Sequence, residues 1–205
     1  MKRILLYLTI SACSITIFAQ KVNIKVVPSN KDTNVRNVKL ITNKEEFKKY
    51  FSDSSSYKTL LPPYKIPYTR TWISVPKGFK YSERINGFVH LATTSSIVCK
   101  EIKGFYFTTI VDNITPESLD RQNSYLKTIE DVKTNDGLPA KLLTIGFTLN
   151  SNDSIKKSTA FERLMLFTGD MESTVWVTAT YPEAVKPFIY EMVRKSLLSV
   201  KLEQQ

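Results

Sequence analysis

The stretch WISVPKGFKY, residues Trp72–Tyr81, decides the fold prediction for this chain of 205 residues. The run from Arg70 to Val75 predicts a β-strand, and Pro76 ends it because proline has no amide hydrogen to give to a ladder. Lys77 follows Pro76, and Gly78 and Phe79 come directly after it. A strand that closes on a Pro-x-Gly-Phe turn indicates the first element of a regular domain that begins near residue 69.

Further β-strands are predicted downstream, because β-branched and aromatic residues are concentrated in short runs. These strands are predicted at Phe88–Leu91, Ser96–Ile102, Gly104–Val111, Pro139–Leu149, Ser158–Thr168 and Ser173–Tyr181. The alternation within Ser158–Thr168 is imperfect, which predicts a strand that is buried on both faces near its end. Asn135-Asp136-Gly137 is a turn signal, and Asn150–Asp153 is predicted to be a hairpin tip.

Two main helices are predicted in the same region. Thr115-Pro116-Glu117 is typical of a helix start, because threonine caps, proline fits the first helical position and glutamate suits the positive end. We expect this helix to run to about Lys127. A carboxy-terminal helix is predicted from apolar residues that recur at three and four positions between Val185 and Leu197. It begins either at Pro187, or near Pro182 with a kink.

The order of these elements resembles that of the Mog/PsbP-like family, which includes PsbP-like and DcrB-like α/β domains. The residues that carry the resemblance are Ile73–Phe79, Thr115–Leu119, Gly137–Ala140, Trp176–Pro182 and Ser196–Val200. The resemblance covers about residues 69–202. It implies an α+β fold, an antiparallel sheet with two main helices packed on it. It implies no activity, because one fold hosts unrelated functions, and members of this family mostly act by binding partners.

The amino terminus is predicted to be a secretory signal peptide, residues 1–19. Lys2 and Arg3 are followed by an uncharged, largely apolar run, and Ala19 is the small residue at the expected cleavage point. The run is short for a membrane-spanning helix, which needs about 20 apolar residues. An alternative is a lipoprotein anchored at Cys13, because Ile10-Ser11-Ala12-Cys13 resembles a lipobox. The protein is therefore predicted to be periplasmic or secreted.

Residues 20–68 are predicted to form an amino-terminal extension of the main domain. Val22–Val27 and Val38–Ile41 are candidate strands, and a capping box at Thr42–Glu45 predicts a short helix at about Asn43–Phe51. Three prolines between Leu61 and Tyr68 forbid a helix, and they favour an extended joint to the main domain.

The charge pattern argues against a nucleic-acid reader. The net charge is +10, and it falls to +8 once Lys2 and Arg3 leave with the signal peptide. The remaining basic residues occur as scattered pairs, whereas nucleic-acid-binding proteins usually cluster them on one face. We expect a solvated basic surface, compatible with peripheral association at the envelope, and no nucleic-acid partner.

No catalytic, cofactor-binding or metal-binding constellation is recognisable in the sequence. His90 is the single histidine, so a histidine-rich metal site is excluded, and a structural role is expected for it. Gly-x-Ser-x-Gly, P-loop and dinucleotide-binding motifs are absent. Cys99 would be the only cysteine of the mature chain, and it is predicted to be a small buried hydrophobe. The aromatic residues of the domain are expected to pack between the sheet and its helices.

These observations predict an exported, non-catalytic protein that binds a protein partner as an accessory module. One alternative is a small-molecule or lipid-binding module with a cleft between the sheet and the carboxy-terminal helix. A less favoured alternative is a hydrolase that uses a serine and His90.

Overall fold

A seven-stranded antiparallel sheet forms the centre of the protein, and α-helices pack on both of its faces. The computed structural model describes residues 45–46, 48–49, 59–150 and 158–203. The strands are β1 (Tyr64–Lys65), β2 (Thr71–Ile73), β3 (Lys80–Ser82), β4 (Gly87–His90), β5 (Ser95–Lys103), β6 (Ser124–Lys133), β7 (Pro139–Asn150), β8 (Ser158–Gly169), β9 (Ser173–Pro182) and β10 (Lys201–Leu202). The helices of residues 59–203 are α1 (Phe107–Asp112), α2 (Pro116–Asp120) and α3 (Lys186–Leu198).

The strand order of the large sheet is β3-β4-β5-β9-β8-β7-β6, and every neighbouring pair is antiparallel. Strands β6 to β9 follow one another as hairpins, and β5 lies beside β9. A separate three-stranded sheet has the order β1-β2-β10. The predicted α+β fold class, an antiparallel sheet with helices packed on it, is therefore confirmed.

Each face of the large sheet carries its own hydrophobic core, because successive side chains of a strand point to opposite faces. On one face, Ile189, Val193 and Leu197 of α3 pack against side chains such as Leu164 and Val177. On the other face, α1 and α2 cover a smaller cluster: Phe107, Val111, Leu119, Leu143, Ile145, Met165 and Phe167. Strand β8 is buried on both faces from Leu164 to Gly169, as its imperfect alternation predicts.

The stretch Trp72–Tyr81 is hydrogen-bonded to the end of α3. Ile73 and Val75 are buried in the α3-side core. Between them, Ser74 donates its amide hydrogen to Ser199 Oγ over 2.9 Å, and its carbonyl accepts a hydrogen bond from Ser196 Oγ over 2.7 Å. The following turn is closed by the Phe79 amide, which donates to the Pro76 carbonyl over 3.1 Å. Gly78 lies there at φ +104°, a conformation that L side chains rarely adopt.

Two predicted elements of the region 104–127 were wrong. Residues 107–112 form α1 and not the end of a strand, because Phe107 and Val111, four residues apart, both pack into the core under α1. The helix predicted to reach Lys127 ends at Asp120, and Asn123 then adopts a left-handed conformation at φ +50°. The start of that helix is confirmed, since the Ser118 amide donates to Thr115 Oγ1 as part of a capping box.

Strand β6 begins in the residues that were predicted to end that helix, and it forms one edge of the large sheet. Among the described residues it pairs with β7 alone. Its register shifts between Leu126 and Thr128, so Lys127 is an extra residue that opposes no single partner. This irregularity is a β-bulge, which bends a strand and re-aims its side chains.

The bulge aims Lys127 at a fully buried carboxylate. Lys127 Nζ lies 2.6 Å from Glu162 Oε1, and Lys186 Nζ at the start of α3 lies 2.9 Å from the same atom. The Tyr181 hydroxyl donates to Glu162 Oε2 over 3.2 Å. Burial alone would raise the pKa of Glu162, but the two lysines lower it below its usual value. This ionised carboxylate ties β6, β8, β9 and α3 together.

The carboxy-terminal helix follows the first of its two predicted forms. A 3₁₀ turn occupies Glu183–Val185, and α3 then begins at Lys186 with Pro187 in its first turn. Proline fits there because the first helical amides have no partner within the helix. The predicted turn at Asn135–Gly137 is confirmed, with Gly137 at φ +84°. The hairpin tip predicted at 150–153 lies outside the described residues after Asn150.

The predicted boundary near residue 68 stays a prediction, and most of the segment before it lies outside the described residues. Within that segment, Glu45, Glu46, Lys48 and Lys49 are helical, and the rest of the helix predicted at 43–51 is not described. The proline stretch packs onto the domain, since β1 pairs with β2 and Ile66 is fully buried. The signal peptide predicted for 1–19 also lies outside the described part, in which no helix is long and apolar enough to cross a membrane.

Candidate functional site

A groove lies at one end of the large sheet, where five segments that are distant in sequence meet. It consists of two adjoining cavities with volumes of about 460 and 300 Å³, and both are lined by Arg70 and Glu172. We call it the Arg70 groove. Its other lining residues are Tyr68, Thr69, Glu101, Lys103, Asp136, Leu138, Asp170, Met171, Ser173, Leu202 and Glu203.

Arg70 is the centre of the groove, and its guanidinium contacts β5, β9 and the turn between β8 and β9. Its Nε donates to Glu101 Oε1 over 3.1 Å, and its amide nitrogen donates to Glu101 Oε2 over 2.8 Å. Its Nη2 lies 2.9 Å from Asp170 Oδ2 and also donates to Ser173 Oγ. Ser173 Oγ in turn donates to Glu101 Oε1 over 2.7 Å. Charge-assisted bonds of this kind are about twice as strong as neutral ones, so the floor of the groove is rigid.

Glu101 and Asp170, the two carboxylates that accept hydrogen bonds from the Arg70 side chain, are ionised at neutral pH. Burial alone would raise the pKa of Glu101, but hydrogen bonds from Arg70 and Ser173 lower it below its usual value. Burial likewise opposes ionisation of Asp170, and its pKa is lowered by the amides of Ser173 and Glu172 and by Arg70. The hydrogen bonds of Glu101 raise the pKa of Arg70 further above its ordinary value. The floor of the groove therefore keeps fixed charges across the physiological pH range.

Tyr68 stands on one rim of the groove in a conformation that is costly for a tyrosine. Its φ is +63°, in the left-handed region that glycine favours. The turn is held on both sides of it, because the Ile66 amide donates to the Thr71 carbonyl over 2.9 Å and the Thr69 amide donates to the Ile66 carbonyl over 3.3 Å. The ring of Tyr68 is fully exposed to solvent. The fold therefore keeps the Tyr68 ring in solvent although the backbone conformation of this residue is strained.

Met171 stands on the rim of the other cavity of the groove, at the tip of the β8–β9 hairpin, and its side chain is 89% exposed. The tip is fixed by Asp170, whose Oδ1 accepts hydrogen bonds from the amides of Glu172 and Ser173 at 3.0 Å each. Two large apolar side chains, one from each rim, therefore project beside a rigid charged floor. Exposed apolar groups that border a polar surface are typical of protein-binding sites.

The hydroxyl that touches both Arg70 and Glu101 in the groove is Ser173 Oγ. It is engaged by hydrogen bonds to both groups and belongs to a residue that is 1% exposed. In the described parts of the chain, no group of three histidine, cysteine or acidic side chains has the arrangement to hold a metal ion.

His90 lies away from the groove in a buried polar cluster. Its Nδ1 is 2.7 Å from Thr93 Oγ1, which donates to Ser95 Oγ over 2.9 Å. His90, Thr93 and Ser95 are each at least 95% buried. Burial lowers the pKa of His90 to about 4, so the ring is neutral at physiological pH. Ser95 is linked to His90 through Thr93 and is closed to solvent, which favours the structural role predicted for this histidine.

Cys99 is buried in the α3-side core, as the sequence predicts. Burial raises the pKa of its thiol to about 12, so the nucleophilic thiolate is not populated at neutral pH. The predicted aromatic packing is confirmed for Phe167 and Trp176, whose rings stack with centroids 5.3 Å apart on the face covered by α1 and α2.

Sequence reasoning did not identify the groove residues. Tyr68 was assigned to the proline joint, and Arg70 was assigned to a strand end. The one available signal was the pair Asp170-Met171, a large apolar residue inside a polar turn between two predicted strands.

Comparisons with known proteins agree with the fold. No family model and no curated protein matches the sequence. Among solved structures, the chain is similar to cyanobacterial PsbP (CyanoP) from Synechocystis sp. PCC 6803, with 12% identity over 69% of this chain and 92% of that one, and a TM-score of 0.46. It is similar to the Saccharomyces cerevisiae Ran-binding protein Mog1p, with 9% identity, coverage of 70% and 96%, and a TM-score of 0.49.

A third similar structure is a Pseudomonas aeruginosa protein of unknown function, with 14% identity, coverage of 70% and 98%, and a TM-score of 0.46. PsbP and Mog1p are the proteins named in the Mog/PsbP-like resemblance of residues 69–202. At such low identities the likeness concerns the fold, and the function is argued below from the residues of this chain alone.

Proposed function

We propose that this protein is an exported, non-catalytic accessory module of the cell envelope that binds a protein partner in the Arg70 groove. The observation that carries the proposal is the pair of rim residues, Tyr68 and Met171. Both are presented to solvent by turns that hydrogen bonds hold in place, and Tyr68 is held there at the expense of backbone strain. Strain of this kind persists where surrounding structure maintains it, and it concentrates at functional sites.

The floor between the rims supports the same proposal. Its ion pairs are already formed in the free protein, so a partner has few side chains to immobilise when it binds. Tyrosine is enriched among residues that dominate binding energy, and methionine adapts to irregular apolar surfaces. A partner segment that places apolar side chains against Tyr68 and Met171, and polar groups over Arg70 and Glu172, matches the groove.

A photo-crosslinking amino acid at position 68 tests the groove in living cells. We expect one discrete adduct from position 68 and none from position 125. Tyr125 is a matched control because it is also an exposed aromatic residue, and it lies near the start of β6, whereas the groove adjoins the turn after the end of β6. The adduct identifies the partner by mass spectrometry. Equal adducts from both positions, or none from position 68, would contradict the proposal.

With that partner purified, the double variant Tyr68→Ala/Met171→Ala should bind it about tenfold or more weakly, because truncating a dominant interface residue costs more than about 1 kcal/mol. Tyr125→Ala should bind like the wild type. The thermal midpoint of the double variant should not fall, since both side chains are exposed and the alanine at position 68 leaves the backbone strain as it was. A double variant that keeps full affinity would remove the groove from the proposal.

Export is part of the same proposal, and it is tested by the mass of the protein isolated from its own envelope. We expect a mature chain that begins at Gln20 and carries no lipid, since Ala19 is the small residue that ends the apolar run. A chain that begins at an acylated Cys13 would establish the lipoprotein form instead. A full-length chain that retains Met1–Ala19 in the cytoplasm would refute export.

A further inference from the structure

The cover that α1 and α2 give to their face of the sheet stops part of the way along the strands. The buried cluster on this face includes Ile145 of β7 and Met165 of β8. The next residues on the same face are Phe147, Phe161 and Arg163, and these are half-buried and stand outside that cluster. Pairing in the ladder places Phe147 opposite Phe161 and Arg163 opposite Ile145, so their side chains share one face.

Arg163 brings to this surface a charge that no carboxylate of the described residues neutralises. Across the described residues, its guanidinium has no carboxylate within ion-pair distance and donates no hydrogen bond, whereas Arg70 and Arg194 each contact an acidic side chain. Burial lowers the pKa of Arg163 below its ordinary value. A cation that is partly desolvated and has no counter-ion lowers the stability of the folded protein.

Two aromatic rings stand beside this charge. The Arg163 guanidinium lies over the Phe147 ring, with Cζ 4.8 Å from the ring centroid. The Phe147 and Phe161 rings are stacked, with centroids 5.5 Å apart and planes inclined by 19°. On the other side of Arg163, the ladder places Thr180, a half-buried residue with a hydroxyl group, directly opposite. A cationic fork, a hydroxyl and an apolar platform thus meet on one half-buried part of the sheet face.

We propose that Arg163, Thr180, Phe147 and Phe161 form a binding site for an amphipathic monocarboxylate, a molecule with one carboxylate on an apolar body. The planar guanidinium matches a carboxylate in two parallel hydrogen bonds, and a single arginine suits a single negative charge. The apolar body lies along the two phenylalanine rings. This site is on the sheet face opposite α3, and it is independent of the Arg70 groove.

Dodecanoate, below its micelle-forming concentration, is the test ligand, and dodecyltrimethylammonium is the matched ligand of opposite charge. We expect calorimetry to detect dodecanoate binding and no binding of the cation, and amide NMR shifts to change at Phe161 and Thr180. Arg163→Met should weaken dodecanoate binding about tenfold or more, the usual effect of losing a charged hydrogen bond. Arg84→Met, which removes an exposed arginine elsewhere, should leave binding unchanged.

A second readout separates a binding role from a structural one. If Arg163 is kept for a ligand, Arg163→Met removes an unpaired half-buried charge and should raise the melting temperature of the free protein by about 2–4 °C. Addition of dodecanoate should then stabilise the wild type more than the variant. No dodecanoate binding by the wild type, equal binding by Arg163→Met, or a lowered melting temperature of this variant would each overturn the proposal.

Discussion

Replacing Phe167 by alanine should lower the free energy of unfolding by about 3–5 kcal/mol, the range for removing a large aromatic side chain from a packed core. Phe167 is fully buried, and its ring stacks on Trp176 with an interplanar angle of 24°. Its loss leaves a cavity under α1, which the sheet cannot close because β8 is held by β7 and β9 on both sides.

Urea unfolding at constant temperature measures this effect, and Phe161→Ala is the matched control. Phe161 is the same residue type on the same strand and the same face, but it is half-buried and outside the core cluster. Its truncation should therefore cost about 1 kcal/mol, the centre of the distribution for point mutations. Equal losses at the two positions would mean that the core under α1 is not packed as described.

Replacing Glu162 by glutamine should lower the free energy of unfolding by about 3 kcal/mol. Glu162 is fully buried between Lys127 and Lys186, and the glutamine removes the anion that both ammonium groups share, although Lys127 keeps its contact with Glu183. Breaking one side of a buried ion pair is strongly destabilising for this reason. Glu130→Gln is the control, because Glu130 and Arg194 are partly exposed on the same sheet face and such pairs contribute about 0–1 kcal/mol.

The pH dependence of the Glu162 effect has a definite sign. The lysines lower the pKa of Glu162 in the folded protein, so its stabilising contribution is complete above the pKa of the unfolded chain, about 4.3. That contribution disappears as the pH falls through the folded pKa. Unfolding curves of the wild type and Glu162→Gln should therefore differ most near neutral pH and converge in acid. A difference that grows in acid would contradict the ion-pair account.

The long hairpins of the domain could be predicted from the sequence, and the elements that depend on tertiary contacts could not. Strands β7, β8 and β9 are rich in β-branched residues and bounded by turn signals, so local preference and burial agree. Residues 107–112 have a strand-like composition. In a helix, however, Phe107 and Val111 are buried on one face, and the free energy gained by this burial exceeds the cost in helix propensity. The local sequence of residues 124–133 also does not show that this segment must form a strand, because its pairing with β7 is a tertiary contact.

The Arg70 groove was beyond sequence prediction for a geometric reason. Arg70, Glu101 and Asp170 are separated by tens of residues. The register of β5, β8 and β9 brings Glu101 close to the turn that carries Asp170, and Arg70 reaches both from the segment before β2. Arg163 was visible as an irregularity in the alternation of β8, but its lack of an acidic partner among the described residues is a property of the assembled sheet.

The bulge at Lys127 also bears on how this protein behaves when it is concentrated. A straight outer strand of ten residues would offer a row of free amide and carbonyl groups to a second molecule, and stacking of molecules along that row is a route to fibrils. The extra residue breaks the spacing of that row, and the lysine places a charge beside it. The same insertion that supplies a partner for Glu162 thus also protects against self-association along the longest sheet edge that the described residues leave unpaired.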